Sequence, residues 1–240
     1  MATTAYAVPA SFAQFSEAAP GGNLFALNGS AAETDFGTST GGPLGAAIPV
    51  NFTYLTVTGT LPADLQGVQS AHLSMTSSTT SAVSTGFGGL VGAQGFDGTG
   101  SLPNSISIIR DTQAAEGSGS QNNLLTVTFN NATLLGIIGS SAPSMSSDTA
   151  LPGVTITYTS DFLTFPNGEH NFSLTFSSWT GAQGAGGLQI GGVDPALFFL
   201  SATAAGAGTF GGNAMVPEPG TISLAVIGLV ALVRWARRRR

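Results

Sequence analysis

Two histidines, twelve carboxylates and six arginines, with no lysine and no cysteine, are the ionisable groups this 240-residue chain could turn to acid, base or electrostatic chemistry. A nucleophilic serine needs a base beside it, and the bases are His72 and His170; no G-x-S-x-G elbow offers a serine to either. His170 follows Glu169 just after Pro166-Asn167-Gly168, and neighbouring strand positions face opposite ways. The two are therefore poor partners, and both histidines read as solvated, His170 on a hairpin and His72 at a strand edge. Arg110 sits beside Asp111, a pattern that predicts a strand-end ion pair, with carboxylate recognition as the alternative. Glycoside hydrolysis needs two carboxylates about 5 to 9.5 Å apart, and the scattered acids single out no such pair. Gly95-Phe96-Asp97-Gly98-Thr99-Gly100 lacks the ligand spacing of a calcium loop and the context of a dinucleotide fingerprint, so it reads as an ordinary loop. Trp179 is the place to look for a solvent-exposed glycan platform. No residue is assigned as catalytic, and neither a metal nor a cofactor is expected.

Charge divides the chain sharply. Residues 1–216 hold eleven acids against Arg110 alone, while the remainder holds Glu218 and five arginines. Only 8% of residues are charged, against about 25% in ordinary soluble proteins. A body with one cation cannot neutralise phosphates, so nucleic-acid binding is excluded for it. Absence of cysteine removes disulfides, thiolate catalysis and Cys-ligated zinc together.

The elements that must carry these residues are strands. Val154, Ile156 and Tyr158 alternate with threonines, and Phe172, Leu174 and Phe176 alternate with Ser173, Thr175 and Ser177, as expected where one face of a sheet is buried and the other wet. The same period predicts strands from Asn51 to Thr58, His72 to Ser78, Ser105 to Arg110, Leu124 to Phe129, Thr133 to Ile138, Phe162 to Phe165 and Leu197 to Thr203. Asn167-Gly168 predicts a tight hairpin, and the glycine-rich stretches Gly86–Gly100 and Gly181–Gly192 read as connectors. With fifteen Phe to fill a core and no amphipathic helix, the expected fold class is all-β, an antiparallel β-sandwich or jelly roll.

The C-terminus has a different grammar. Pro217-Glu218-Pro219 breaks any preceding element, Thr221 to Val233 carries no charge, and Arg234-Trp235-Ala236-Arg237-Arg238-Arg239-Arg240 follows. This is the pattern of a membrane helix, predicted over 221–236, with the arginines retained in the cytoplasm by the positive-inside bias. Thirteen helical residues rise only about 20 Å against a hydrocarbon core of about 30 Å. Arg234 can snorkel to cover part of the shortfall.

The tripeptide, the apolar span and the basic end, in that order, resemble a PEP-CTERM sorting signal. That resemblance covers about the last 25 residues. It implies Pro217, Glu218 and Pro219 as the sorting motif, and Arg234, Arg237, Arg238, Arg239 and Arg240 as the membrane stop. It further implies recognition and cleavage by a membrane-embedded exosortase in a Gram-negative bacterium, then delivery to the cell surface or an exopolysaccharide matrix. Members of the family also carry a signal peptide. Met1 to Phe15 has no basic or long apolar run, but Ala5-Tyr6-Ala7 matches a signal-peptidase site, which predicts an in-frame export segment upstream of Met1 and a mature start at Val8. The chain thus divides into an exported β domain, 1–214, and a sorting tail, 215–240. The expected role is non-catalytic and structural in the envelope or biofilm, with exosortase, membrane lipid and exopolysaccharide as partners. A glycan- or calcium-binding module, and after it an extracellular hydrolase, are the alternatives.

Overall fold

The computed structural model describes residues 9–19, 22–111, 122–166, 168–181, 184 and 186–217. Sixteen strands carry the described chain, and its only helical pieces are the single 3-10 turns Ala63–Leu65 and Phe87–Gly89. The first six strands are β1 (Ser11–Glu17), β2 (Phe25–Gly29), β3 (Thr34–Thr38), β4 (Ile48–Tyr54), β5 (Val68–Thr79) and β6 (Ser84–Gly86). Then follow β7 (Val91–Phe96), β8 (Ser105–Arg110), β9 (Asn123–Phe129), β10 (Ala132–Ile137), β11 (Ser144–Asp148) and β12 (Ile156–Thr159). The last are β13 (Asn171–Gly181), β14 (Ile190–Gly191), β15 (Phe198–Phe199) and β16 (Ala202–Gly211). The fold is all-β. No described helix is long and apolar enough to cross a membrane, and the helix predicted over 221–236 lies outside the described residues.

Fourteen strands form one antiparallel sheet in the order β12-β9-β8-β5-β3-β2-β16-β13-β11-β10-β7-β6. Strands β1 and β4 lie off that path, β1 between β16 and β4, and β4 between β1 and β5; β14 and β15 form a separate ribbon. Two long strands explain this branching. The first part of β5 pairs with β4 and its end with β3. Along β16, Ala202–Ala204 pair with β2 and Ala207–Gly211 with β1. The path β1-β4-β5-β3-β2-β16 therefore closes on itself. Hydrogen bonds thus join fourteen strands into one continuous antiparallel sheet, where the alternation predicts two packed ones.

Side chains show where that sheet doubles over a core. Phe129 on β9 meets Phe172 on β13 at 4.9 Å between ring centres, although the two strands are not sheet neighbours. Phe36 on β3 is fully buried among Phe25 (6.1 Å), Phe96 (6.3 Å), Phe176 (5.1 Å) and Trp179 (6.2 Å). Each such ring brings a large apolar area and edge or offset contacts that favour one arrangement. Where β3 crosses β5, a Cβ on Gly37 would lie 2.2 Å from the Met75 carbonyl oxygen, so only glycine permits this approach.

Partner switching leaves a seam at Ala205–Gly206, where neither β1 nor β2 reaches β16. Glu17 closes it. Its side chain, 8% exposed, accepts the Gly206 N–H at 3.0 Å. Burial pushes the Glu17 carboxyl above its usual range, opposed by the N–H groups of Gly206, Leu24 and Gly22.

Several expected elements differ. The strand expected to run to Thr58 ends at Tyr54, and Leu55 is exposed. Phe162 to Phe165 forms no strand and no hairpin with β13, because both edges of β13 are occupied, by β11 and β16. Asn167 itself is outside the described residues. The connector Gly86–Gly100 contains β7, and the strand expected from Leu197 to Thr203 is split between β15 and the start of β16. Strands β1, β2, β3 and β11 were not signalled by alternation. In β1 the cause is a register shift between Ser11 and Ala13 that buries both Phe12 and Ala13 and breaks the period of two.

Candidate functional site

The residues singled out for chemistry do not converge. His72 lies mid-strand on β5 between β4 and β8, not at an edge. Its Nδ1 is 2.5 Å from Asp111 Oδ1, with the two side chains 51% and 32% exposed. This histidine–acid pair sits on an open face and lines none of the body's main cavities. Arg110 does form an ion pair, but with Asp64 rather than Asp111: it donates to Asp64 Oδ2 at 3.0 Å and to the Asp64 carbonyl at 2.8 Å. Adjacent strand residues point apart, which leaves Asp111 to His72.

His170 is not solvated. It is 9% exposed, its ring 4.8 Å from that of Tyr158, with Nδ1 3.0 Å from the Ile156 carbonyl oxygen. Trp179 offers no platform. It is 2% exposed and stacked on Phe36, because a bulge between Ser177 and Thr180, with Ser178 at φ 54°, breaks the alternation and turns this side chain to the same buried face as Phe176.

Asp97, in the glycine-rich loop, is saturated by its neighbours. Its Oδ1 accepts from the Thr79 and Thr99 hydroxyls and the Thr99 N–H, and its Oδ2 from the Ser81 hydroxyl. Burial works to raise its pKa, but these hydrogen bonds hold it below the usual carboxylate range. No group of three or more His, Asp or Glu able to hold a metal occurs among the described residues.

Glu33 and Asp35 form the one strongly perturbed carboxyl pair. Burial, and next the charge of Glu33, push Asp35 up from 3.8 to about 6. Glu33 is held low by the Ser101 amide N–H, which donates to its Oε1. The folded protein thus binds more protons at Asp35 than the unfolded chain between these two pH values. Stability from this residue is present at low pH and is lost as pH rises from about 4 through 6. Asp35→Asn should leave stability near pH 3.5 unchanged and raise it at pH 7.5 by about 1 kcal/mol, the full two-unit shift being discounted for solvent screening. Urea midpoints at the two pH values check this; an equal effect at both would contradict it.

Two features remain that the fold itself builds. The first is a trough of about 400 Å³ across the outer face of β4, β1, β16 and β13. Register puts its side chains in rows: Thr53, Gln14, Thr209 and Ser173 in one, Asn51, Ser16, Ala207 and Thr175 in the next. Strands stand about 4.8 Å apart, so the first row is a ladder of hydroxyl and amide groups at that interval, and in the second Ala207 interrupts it. Ala207 and Gly208 lower the floor, and no ionisable side chain lines the trough.

The second is the exit of the chain toward its tail. Ala214–Val216 runs between two other segments as a short extended strap. On one edge Thr58 N–H donates to Ala214 O and Val216 N–H to Thr58 O, both at 2.9 Å. On the other, Met215 N–H donates to Thr164 O at 2.9 Å and Thr164 N–H to Met215 O at 2.8 Å. The pairing stops there because Pro217, which is exposed, has no N–H to continue it.

Beyond the exit, the family model of the PEP-CTERM protein-sorting motif matches residues 216–240. No curated protein and no solved structure matches the chain. The described residues thus form an all-β body, and the chain carries a PEP-CTERM sorting motif, which implies export and sorting by an exosortase. Of the sorting residues only Pro217 is described; Glu218, Pro219, Arg234 and Arg237 to Arg240 lie outside the described residues, as does Ala5-Tyr6-Ala7.

Proposed function

We propose that the body is a non-catalytic surface or matrix protein, cleaved from its tail by the exosortase, whose neutral trough contacts extracellular polysaccharide. The observation that carries this reading is the trough: ordered hydroxyls and amides, both donors and acceptors, with no charge in the lining. Such a surface matches a neutral, hydroxyl-rich polymer and gives an anionic one no counter-charge. A structural role also agrees with the histidines, one buried against Tyr158 and one on an open face, neither meeting a serine in a cleft. Exopolysaccharide and membrane lipid are the partners this reading assigns beyond the exosortase. Transit places the tail in the inner membrane, C-terminus inward, before release.

The test is retention of the protein on an insoluble neutral glucan. Binding should persist at 0.5 M salt, since no charge in the trough is available to be screened. Gln14→Ala combined with Asn51→Ala should reduce it about tenfold, the equivalent of one to two net hydrogen bonds. Retention only on an anionic polymer, or equal retention of the double variant, would sink the trough as the contact.

A further inference from the structure

Both backbone edges of the segment preceding the sorting tripeptide are occupied. In an extended chain the polar groups of successive residues point to opposite sides. Here Ala214 and Val216 spend theirs on Thr58, and Met215 spends its own on Thr164. Val216 is the last residue bonded to the body, and the apolar stretch begins at Thr221. Five peptide steps separate them, about 18 Å at full extension. Within that span Pro217 is exposed, and the two prolines of the tripeptide have no N–H to offer an enzyme.

We propose that Ala214–Val216 is a releasable strap, and that its detachment from Thr58 and Thr164 admits the processing enzyme to the tripeptide. This rests on the reading that the tail is cleaved. The strap is built to come away cheaply. Its hold is four backbone hydrogen bonds, a fifth from the Thr164 hydroxyl to the Met215 carbonyl at 3.3 Å, the small buried side chain of Ala214 and a half-buried Val216, while Met215 is 40% exposed. Segments held by few apolar contacts are the ones that open locally without global unfolding. Opening has a defined limit as well: the Gly212 N–H donates to the Ala10 carbonyl, and Phe210 is fully buried, so β16 stays in place. Release adds 213–216 to the segment within the enzyme's reach, about 14 Å more at full extension. The enzyme then meets an ordinary extended peptide with unpaired N–H and C=O groups on both edges.

The chain has no cysteine, so a single engineered disulfide can lock the strap. Thr164 and Met215 form an antiparallel bridge, whose Cα separation of about 5.5 Å suits a disulfide. The experiment incubates full-length Thr164→Cys/Met215→Cys protein in detergent with exosortase-containing membranes, with and without dithiothreitol, and follows the processed form by mass spectrometry. The oxidised variant should be cut at least tenfold more slowly than the wild-type chain, and the reduced variant at the wild-type rate, which also shows that it folds. A six-residue Gly/Ser spacer between Val216 and Pro217 should restore cutting of the oxidised form, because it supplies length without release. Wild-type cutting of the oxidised form, or no rescue by the spacer, overturns the strap. If the wild-type chain is never cut, the cleavage reading fails first, and the strap with it.

Discussion

Replacing Glu218 with Ala, or Arg237 to Arg240 with Ser, should leave the β body folded and abolish the released form, so that full-length protein accumulates in the inner membrane. The body should tolerate these changes, since its last strand, β16, ends at Gly211, ahead of every substituted position. The tail, by contrast, depends on them. Glu218 stands between two prolines, and residues preceding proline are driven out of helical conformation, so the proposed cleavage expects the acid on an extended stretch outside the membrane. On the same proposal the terminal arginines would hold the other end inside by the positive-inside bias, and an apolar stretch that spans about 20 Å if helical, against a core of about 30 Å, would make a poor permanent anchor. Mass spectrometry of the surface form decides the matter. A mature protein that still carried Thr221 to Arg240 would establish a lasting anchor instead of a cleaved address.

The largest effect on stability is expected at Phe36. Its ring is fully buried and touches four aromatic partners, which come from β2, β7 and β13. Phe36→Ala should cost about 3–5 kcal/mol, the transfer of the ring plus the cavity it leaves. That is much of the 5–15 kcal/mol by which a domain is ordinarily stable. Phe36→Leu, which keeps most of the volume, should cost about 1.5 kcal/mol or less. Urea unfolding followed by tryptophan fluorescence reads both, since Trp179 stacks on Phe36. If Phe36→Ala unfolded at the wild-type midpoint, the doubled sheet would not enclose the core described here.

What alternation reports is how a strand divides its faces, and where a strand keeps a clean period of two the sequence reads correctly. Ser105–Arg110 and Asn171–Gly181 are strands close to the expected bounds, with Phe172, Leu174 and Phe176 buried as their spacing requires. Where local geometry departs from the period, the signal fails. The bulge in β1 buries consecutive residues, and β7, Val-Gly-Ala-Gln-Gly-Phe, has too little apolar side chain to stand out from a loop.

The sorting motif was legible as a pattern, because its signal is serial: a proline-flanked acid, an apolar run and a basic end are read from order and length along the chain. The fates of Trp179, His170 and Arg110 were not legible, since burial is conferred by partners far away in the chain. Phe36 covers the indole, Tyr158 the imidazole, and Asp64 turns the guanidinium from its neighbour. The trough and the strap belong to the same category. Thr53, Gln14, Thr209 and Ser173 become one ladder only when strand register aligns them, and Met215 is pinned only when Thr58 and Thr164 come to lie on either side of it. A one-residue slip would turn every one of those side chains to the opposite face, so composition and order determined the tail and the β class, while register alone decided which surfaces the body presents.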